Sequence, residues 1–160
     1  MTEKKFSVKP LGYVRHTDEG SYLELLEPYA EATKGLEGFS HINVLWWGNL
    51  TDEDDYRQIL ECEQPYKGAP EKLGIFATRS PVRPNPILLT TVNIIRFENE
   101  RIYVGYIDAE DGTPIIDIKP YHPSADRIKD VEVPNWCAHW PKWYEDSTDF
   151  DWEAEFINAK

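Results

Sequence analysis

Short apolar runs rich in β-branched and aromatic residues recur along this chain, each stopped within a few residues by glycine, proline or charge. The longest is Ile87–Phe97, ILLTTVNIIRF; Ile102–Ile107 follows it after a turn at Glu98–Arg101. Ile42–Trp47, Leu73–Thr78 and Ile115–Ile118 are shorter, and Phe6–Val14 is interrupted by Pro10 and Gly12. Branched and aromatic side chains pack well on a pleated surface and lose rotamer freedom in a helix, so these runs predict strands. Strands separated by turns rather than by long helical stretches predict a mainly β barrel or sandwich, not a series of βαβ units.

Helix is expected in one or two short places. Asp52–Cys62 has Thr51 as a candidate N-cap, acid in its first turn, and Tyr56, Ile59 and Leu60 as an apolar stripe. The tail Ser147–Ala159 reads either as a second helix docked through Phe150, Trp152 and Phe156 or as a loosely held acidic terminus. Trp46 and Trp47 are expected in the core rather than as a stacking platform. The domain reading is a barrel over residues 1–140 followed by an acidic, Trp-containing tail over 141–160.

At 160 residues with 41% hydrophobic and 13% aromatic content, the chain can bury a core and is not disordered. No apolar run reaches membrane-spanning length, and MTEKKFSVKP has no signal core. Cys62 and Cys137 fit neither a zinc spacing nor a disulfide framework, which points to a reducing cytoplasm. A net charge of −12 argues against a general nucleic-acid binder, because phosphate binding draws on Lys and Arg. The acid is uneven. It collects in Thr51–Glu63 and Glu145–Glu155, whereas Arg79–Pro86 carries two arginines and no acid.

No G-x-G-x-x-G, P-loop or G-x-S-x-G pattern is present, and the four histidines show no metal spacing. Two loops stand out. Arg79–Pro86, RSPVRPNP, is stiffened by proline. It reads either as a rigid turn or as a prearranged pair of guanidiniums, with Arg79, Arg83 and Asn85 aimed at an anion or a planar group. Asp108–Asp111, DAED, is either an ordinary acidic turn or a set of carboxylates for a ribose diol or a positive group. Asp117 and Lys119 alternate with Ile116 and Ile118 and should share one face of a short strand that Pro120 stops, beside Tyr121. Ser40 and His41 precede a strand and are expected on opposite faces, which excludes a nucleophile–base pair and leaves His41 a structural or wall residue.

Three segments together resemble the TsaA-like, or TrmO, family of S-adenosylmethionine-dependent tRNA methyltransferases. They are GLEGFSHI at Gly35–Ile42, GIFATRSPVRPNPI at Gly74–Ile87 and DGTPIIDIKPY at Asp111–Tyr121. LGYVR at Leu11–Arg15 fits the family's first strand, and the similarity runs from Val8 to Ile128. The resemblance implies a small β-barrel methyltransferase that forms a homodimer and methylates N6 of threonylcarbamoyladenosine 37 in a tRNA. It places Arg79, Leu89 and Asp108, Ala109, Glu110 and Asp111 where the family binds the methyl donor, with Gly48 and Asn49 in place of the usual aromatic–His pair. Arg83 and Asn85 are then candidates for substrate contact, and Asp117, Lys119 and Tyr121 for acceptor contact or proton handling. The methyl donor is already activated, so positioning matters more than a strong base, and no catalytic base is assigned.

The chain departs from the family pattern between Arg15 and Gly35, where it is short. An Arg-rich stretch before GIFAT is replaced by Asp52–Lys72, with seven acids against Arg57, Lys67 and Lys72. Leu88 stands where the family carries glycine, and an acidic tail stands where it carries a further domain. These changes remove groups that would grip tRNA phosphate. The cofactor expected is S-adenosylmethionine. The acceptor is left open between tRNA and a small molecule or protein, with a non-enzymatic nucleoside-binding module as the other reading.

Overall fold

The structure, a computed structural model, describes residues 4–158. It divides into two compact units: Met1–Asp52 with Asn85–Arg127, and Glu53–Pro84 with Ile128–Lys160.

The first unit is a closed antiparallel barrel. Its strands are β1 (Gly12–Thr17), β2 (Gly20–Leu25), β3 (His41–Trp47), β6 (Ile87–Glu98), β7 (Arg101–Val104) and β8 (Pro114–Pro120), with β4 and β5 lying in the other unit. The order around the barrel is β1-β2-β7-β6-β3-β8, and β1 meets β8 to close it. The mainly β expectation holds, as do the runs at Ile42–Trp47, Ile87–Phe97 and Ile115–Ile118, each a strand extended by a few residues. The Ile102–Ile107 strand ends earlier, at Val104. Ordered strand begins only at Gly12 in the first run, since Pro10 has no N–H for a ladder. One barrel strand went unread in the sequence: β2, which pairs with β1 from Gly12↔Leu25 to Thr17↔Gly20.

Alternation supplies the core. Val14, Leu23, Ile42, Val44, Val92 and Ile102 are fully buried and face one another inside the barrel. No buried side-chain polar atom among the described residues lacks a hydrogen-bond partner. The buried amide of Asn43 accepts from Thr91 Oγ1 at 2.7 Å and donates to Asp126 Oδ1 at 3.0 Å. That ties the short helix α2 (Pro123–Asp126) to β3.

The packing of β2 against β1 depends on a missing side chain. Gly12 lies between Leu25 of β2 and Ile115 of β8. A Cβ there would sit 2.2 Å from the Glu24 carbonyl oxygen and 2.9 Å from Leu25 Cα, so backbone itself would have to move.

The second unit is organised differently. β4 (Glu61–Glu63) and β5 (Lys72–Gly74) form a two-stranded ribbon. Helix α1 covers only Asp54–Arg57, which corrects the expected helix Asp52–Cys62. Thr51 belongs to a 3-10 turn at Asn49–Thr51, Glu53 takes the N-cap place, and Tyr56, Ile59 and Leu60 are exposed. Residues 61–63 find backbone partners across the ribbon, and tertiary pairing overrides local propensity. The expected strand Leu73–Thr78 is also shortened. After Gly74 the chain turns at Ile75–Ala77, because the Thr78 amide and hydroxyl both donate to the Ile75 carbonyl at 3.0 and 2.8 Å.

The tail is neither one helix nor a loose end. It forms a 3-10 turn at Glu145–Asp149 and the short helix α3 (Trp152–Glu155), with Ala159 outside the described residues. Ile157 N–H donates to the Pro65 carbonyl and Lys67 N–H to the Glu155 carbonyl, so the tail pairs with residues 64–67. Tyr66 stacks on Trp136 and meets Trp140 and Phe156, while Trp140 meets Trp152 edge-on. Trp136, Trp140 and Trp152 form this half-buried cluster, while Trp46, expected in the core, is half-buried and packs against the barrel core. Beneath it lies the Glu155 carboxylate, 5% exposed, accepting from Trp140 Nε1 at 2.9 Å and bonded to His139 Nε2 at 3.1 Å. The Trp140 bond first, then the His139 bond, holds this carboxyl below its ordinary pKa.

Two outcomes follow from these contacts. Gly12→Ala should cost on the order of 2–4 kcal/mol in urea unfolding, as clashes with fixed backbone do. Gly38→Ala, where a Cβ meets nothing within 4 Å, should change stability little. In the second unit, a depressed carboxyl contributes stability above its unfolded pKa and loses it as pH falls through the folded value. Tryptophan emission should therefore shift to the red on acidification below the ordinary carboxylate range, and Glu155→Gln should remove that acid-sensitive step.

Candidate functional site

The acidic loop Asp108–Asp111 hangs from the barrel by alternate residues. Ile107 and Ala109 are buried in the core cluster, and Asp108, Glu110 and Asp111 are exposed. Gly112 then adopts φ of +80°, the left-handed region that favours glycine, and donates its N–H to the Val14 carbonyl at 2.8 Å. Thr113 N–H returns to the Glu110 carbonyl at 3.1 Å, closing the turn. Asp108 Oδ1 accepts from the Thr90 hydroxyl, whose oxygen accepts from Trp46 Nε1 at 3.0 Å. Asp111 Oδ1 accepts from the His16 backbone N–H at 2.9 Å. The second oxygens of both aspartates carry no hydrogen bond among the described residues. Thr90, Trp46 and His16 were not singled out as site residues in the sequence; nothing in local spacing marks bonds made across the barrel.

The next candidates lie just after β3, just before β6 and on β6 itself. Gly48 is buried, and its N–H donates to the Pro86 carbonyl at 2.8 Å. A Cβ at Gly48 would lie 3.1 Å from Leu88 Cδ1 and 3.3 Å from Pro86 Cβ, so the Leu88 side chain fills the space that Gly48 leaves. Asn49 and Asn85 are exposed, and the Asn85 carbonyl accepts from Ile87 N–H at 2.7 Å. Leu89, 43% exposed, points outward beside Ile87, while Leu88 points inward. In register, Leu45 of β3 lies between Leu89 on β6 and Asp117 on β8.

On β8, Asp117 and Lys119 share a face as expected and pair with each other, Lys119 Nζ to Asp117 Oδ2 at 2.7 Å. That bond raises the Lys119 pKa. Tyr121 N–H donates to the His41 carbonyl at 3.0 Å, and the two rings meet edge-on at 6.3 Å. The expectation that Ser40 and His41 cannot pair is overturned: Ser40 Oγ lies 2.8 Å from His41 Nδ1. Strand β3 begins at His41, so Ser40 lies outside it and is free of the pleat that would separate the two side chains.

Arg79 and Arg83 belong to the second unit. There the Thr78–Pro84 loop is built from hydroxyl-capped turns: Ser80 N–H to Thr78 Oγ1 and Val82 N–H to Ser80 Oγ, each 3.2 Å. Arg83 Nη1 donates back to the carbonyls of Ser80 at 3.1 Å and Thr78 at 3.3 Å, clasping the loop. Arg57 Nη1 donates to the Pro84 carbonyl at 3.0 Å. Arg79 is exposed and has no hydrogen bond or ion pair among the described residues. The two arginines, equivalent in the sequence, thus differ: one holds the loop and the other projects from it.

Residues 8–127 match the family model described as the tRNA-methyltransferase O N-terminal domain. A probable S-adenosyl-L-methionine-binding protein of Pyrococcus horikoshii is 40% identical over 121 residues, covering 74% of this chain and 85% of that protein. The tRNA (adenine(37)-N6)-methyltransferase of Escherichia coli is 39% identical over 117 residues, covering 69% of this chain but 49% of the enzyme. The crystal structure of TrmO from Pseudomonas aeruginosa superimposes with a TM-score of 0.60 at 34% identity, covering 81% of this chain and 62% of that one. The chain therefore spans about half to two thirds of the length of these two methyltransferases.

The division of labour in the second-unit loop is testable by stability alone. Arg83→Ala should cost about 1 kcal/mol in urea unfolding, the scale of a charged hydrogen bond at a half-exposed site. Arg79→Ala should leave the midpoint unchanged.

Proposed function

Because the chain belongs to the tRNA-methyltransferase O N-terminal domain family, we propose that it binds S-adenosylmethionine and transfers its methyl group to adenosine 37 of a tRNA, as the name of its Escherichia coli relative describes. The observation that carries the reading is the acidic loop. A core-anchored segment inside the matched region presents Asp108, Glu110 and Asp111 outward. These groups fit the cofactor by chemistry: carboxylate oxygens accept from a ribose diol and attract a positive end. The cofactor supplies a methyl group already activated on a sulfonium.

The protein's own residues bind and orient. Asp108 is aimed by Thr90, itself held by Trp46, so the carboxylate is prearranged rather than ordered on binding. Leu89 offers exposed apolar surface one residue before Thr90, and Gly48 and Asn49 follow β3 on the adjacent strand. Arg79, exposed and unpaired among the described residues, suits a carboxylate or phosphate, and Asn85 is assigned to substrate contact. Asp117, Lys119 and Tyr121 are assigned to acceptor contact. The Asp117–Lys119 pair leaves neither group as a ready base, which fits a reaction driven by positioning.

A homodimer is part of the reading, supported by the exposed apolar face of β6 at Ile87, Leu89 and Ile95. A reducing, cytoplasmic setting is supported by the free thiols of Cys62 and Cys137. Among the described residues no helix is long and apolar enough to cross a membrane. A second reading is favoured by the net charge of −12: methyl transfer to a small-molecule or protein acceptor on the same cofactor site.

Titration calorimetry with S-adenosylmethionine and its demethylated product tests the cofactor step, and Arg79→Ala should weaken binding of cofactor or acceptor without lowering Tm. No heat with either ligand at millimolar concentration rejects the reading. Labelled-methyl transfer to tRNA, with binding that falls linearly in log–log form as salt rises, supports the tRNA acceptor. Cofactor binding without tRNA binding moves the assignment to the other acceptor class.

A further inference from the structure

We propose that His16 is a positioning residue for the methyl-donor site, holding the acidic loop in the conformation that presents its carboxylates; the inference rests on the assignment of Asp108–Asp111 to that site. His16 lies near the end of β1, just before the turn to β2, and the sequence offers only a bland role for it. In the structure it is the densest point of attachment for the loop. Its backbone N–H donates to Asp111 Oδ1 at 2.9 Å. Its ring Nε2 lies 2.7 Å from the Ala109 carbonyl oxygen, and its Nδ1 lies 2.8 Å from Ser21 Oγ.

Hydrogen-bond chemistry decides the tautomer. A carbonyl oxygen only accepts, so Nε2 must carry the proton that reaches Ala109. In the neutral ring Nδ1 is then the acceptor, and the Ser21 hydroxyl donates to it. The Ala109 carbonyl thereby sets the tautomer, and the Ser21 hydroxyl, which can donate, satisfies Nδ1 and steadies the ring in the orientation that holds the loop. The bond falls at a decisive place. The Ala109 carbonyl belongs to the peptide joining Ala109 to Glu110, between the outward carboxylates Asp108 and Glu110. The Ala109 side chain is already anchored in the core. Anchoring one side chain leaves the following peptide free to rotate; the His16 bond fixes its plane. With the Gly112 and Thr113 bonds to Val14, β1 grips the loop at both ends of its acidic run.

The backbone bond to Asp111 survives substitution of the side chain, so variants at position 16 isolate the ring. His16→Leu keeps apolar bulk and removes the donor. His16→Gln places an amide N–H at about the reach of Nε2. Calorimetry with S-adenosylmethionine at a temperature where all variants are folded should show affinity about tenfold weaker for His16→Leu and within about threefold of wild type for His16→Gln, one lost hydrogen bond being worth about tenfold. Ser21→Ala, which removes the second anchor of the ring without touching the loop, should weaken binding about twofold to threefold. Equal losses in the leucine and glutamine variants, or unchanged affinity in His16→Leu, overturn the inference. Should His16→Leu fail to fold, wild-type affinity in Ser21→Ala overturns it. Failure of the wild-type protein to bind the cofactor is a different result: it rejects the proposed function from which the inference starts.

Discussion

The seam between β1 and β8 is the contact on which the barrel and its loops both depend. It is short, with two register pairs, Gly12↔Ile115 and Tyr13↔Pro114. Leu11 N–H extends it to the Ile115 carbonyl at 2.7 Å, and Val14 N–H to the Thr113 carbonyl at 2.9 Å. Closing a six-stranded sheet leaves no unpaired edge, but it forces backbones together where the ends meet. Gly12, paired with Ile115 across this seam, also admits the close approach of β2 on its other side, since any side chain there would meet the Glu24 carbonyl. The same strand then carries the attachments of the acidic loop at Val14 and His16. Closure of the barrel and presentation of the carboxylates are thus one piece of geometry.

The second unit shows how a small region without a large apolar interior acquires order. Its aromatic rings meet face-to-edge and are held by a carboxylate from the tail, so Glu155 acts as the hub of an aromatic cluster rather than as a surface acid. A low-exposure carboxylate is tolerable there because two donors satisfy it. The arginine-bearing loop in the same unit is rigid for a comparable reason. Its order comes from Thr78 and Ser80 hydroxyls and from the Arg83 clasp, beyond what its prolines impose.

How much of this was legible in the sequence differs by element. Ile42–Trp47 and Ile87–Phe97 were readable as strands because their side chains report a pleated, half-buried surface. Glu61–Glu63 was not, because its partner strand supplies its stability and its residues favour helix locally. The acidic and arginine-bearing loops were readable as places of interest from composition. What the individual groups do was not: Arg79 and Arg83 look alike until the backbone carbonyls around one of them are located. The Ser40–His41 pair was misread because strand alternation was extended to Ser40, which lies before the first residue of β3.

The amino-acid sequence by itself determined the β-rich class, the positions of most barrel strands, the family motifs and the two loops that carry charge. These follow from side-chain shape and local order, which a single chain segment contains. Only the tertiary structure decided that β1 and β8 close the barrel at Gly12, that His16 grips a loop 93 residues away, that Arg83 turns inward, and that the tail folds back under Tyr66. Each of these is a hydrogen bond or close approach whose partner is chosen by strand register or chain return, and such a choice has no signature in the residues on either side of it.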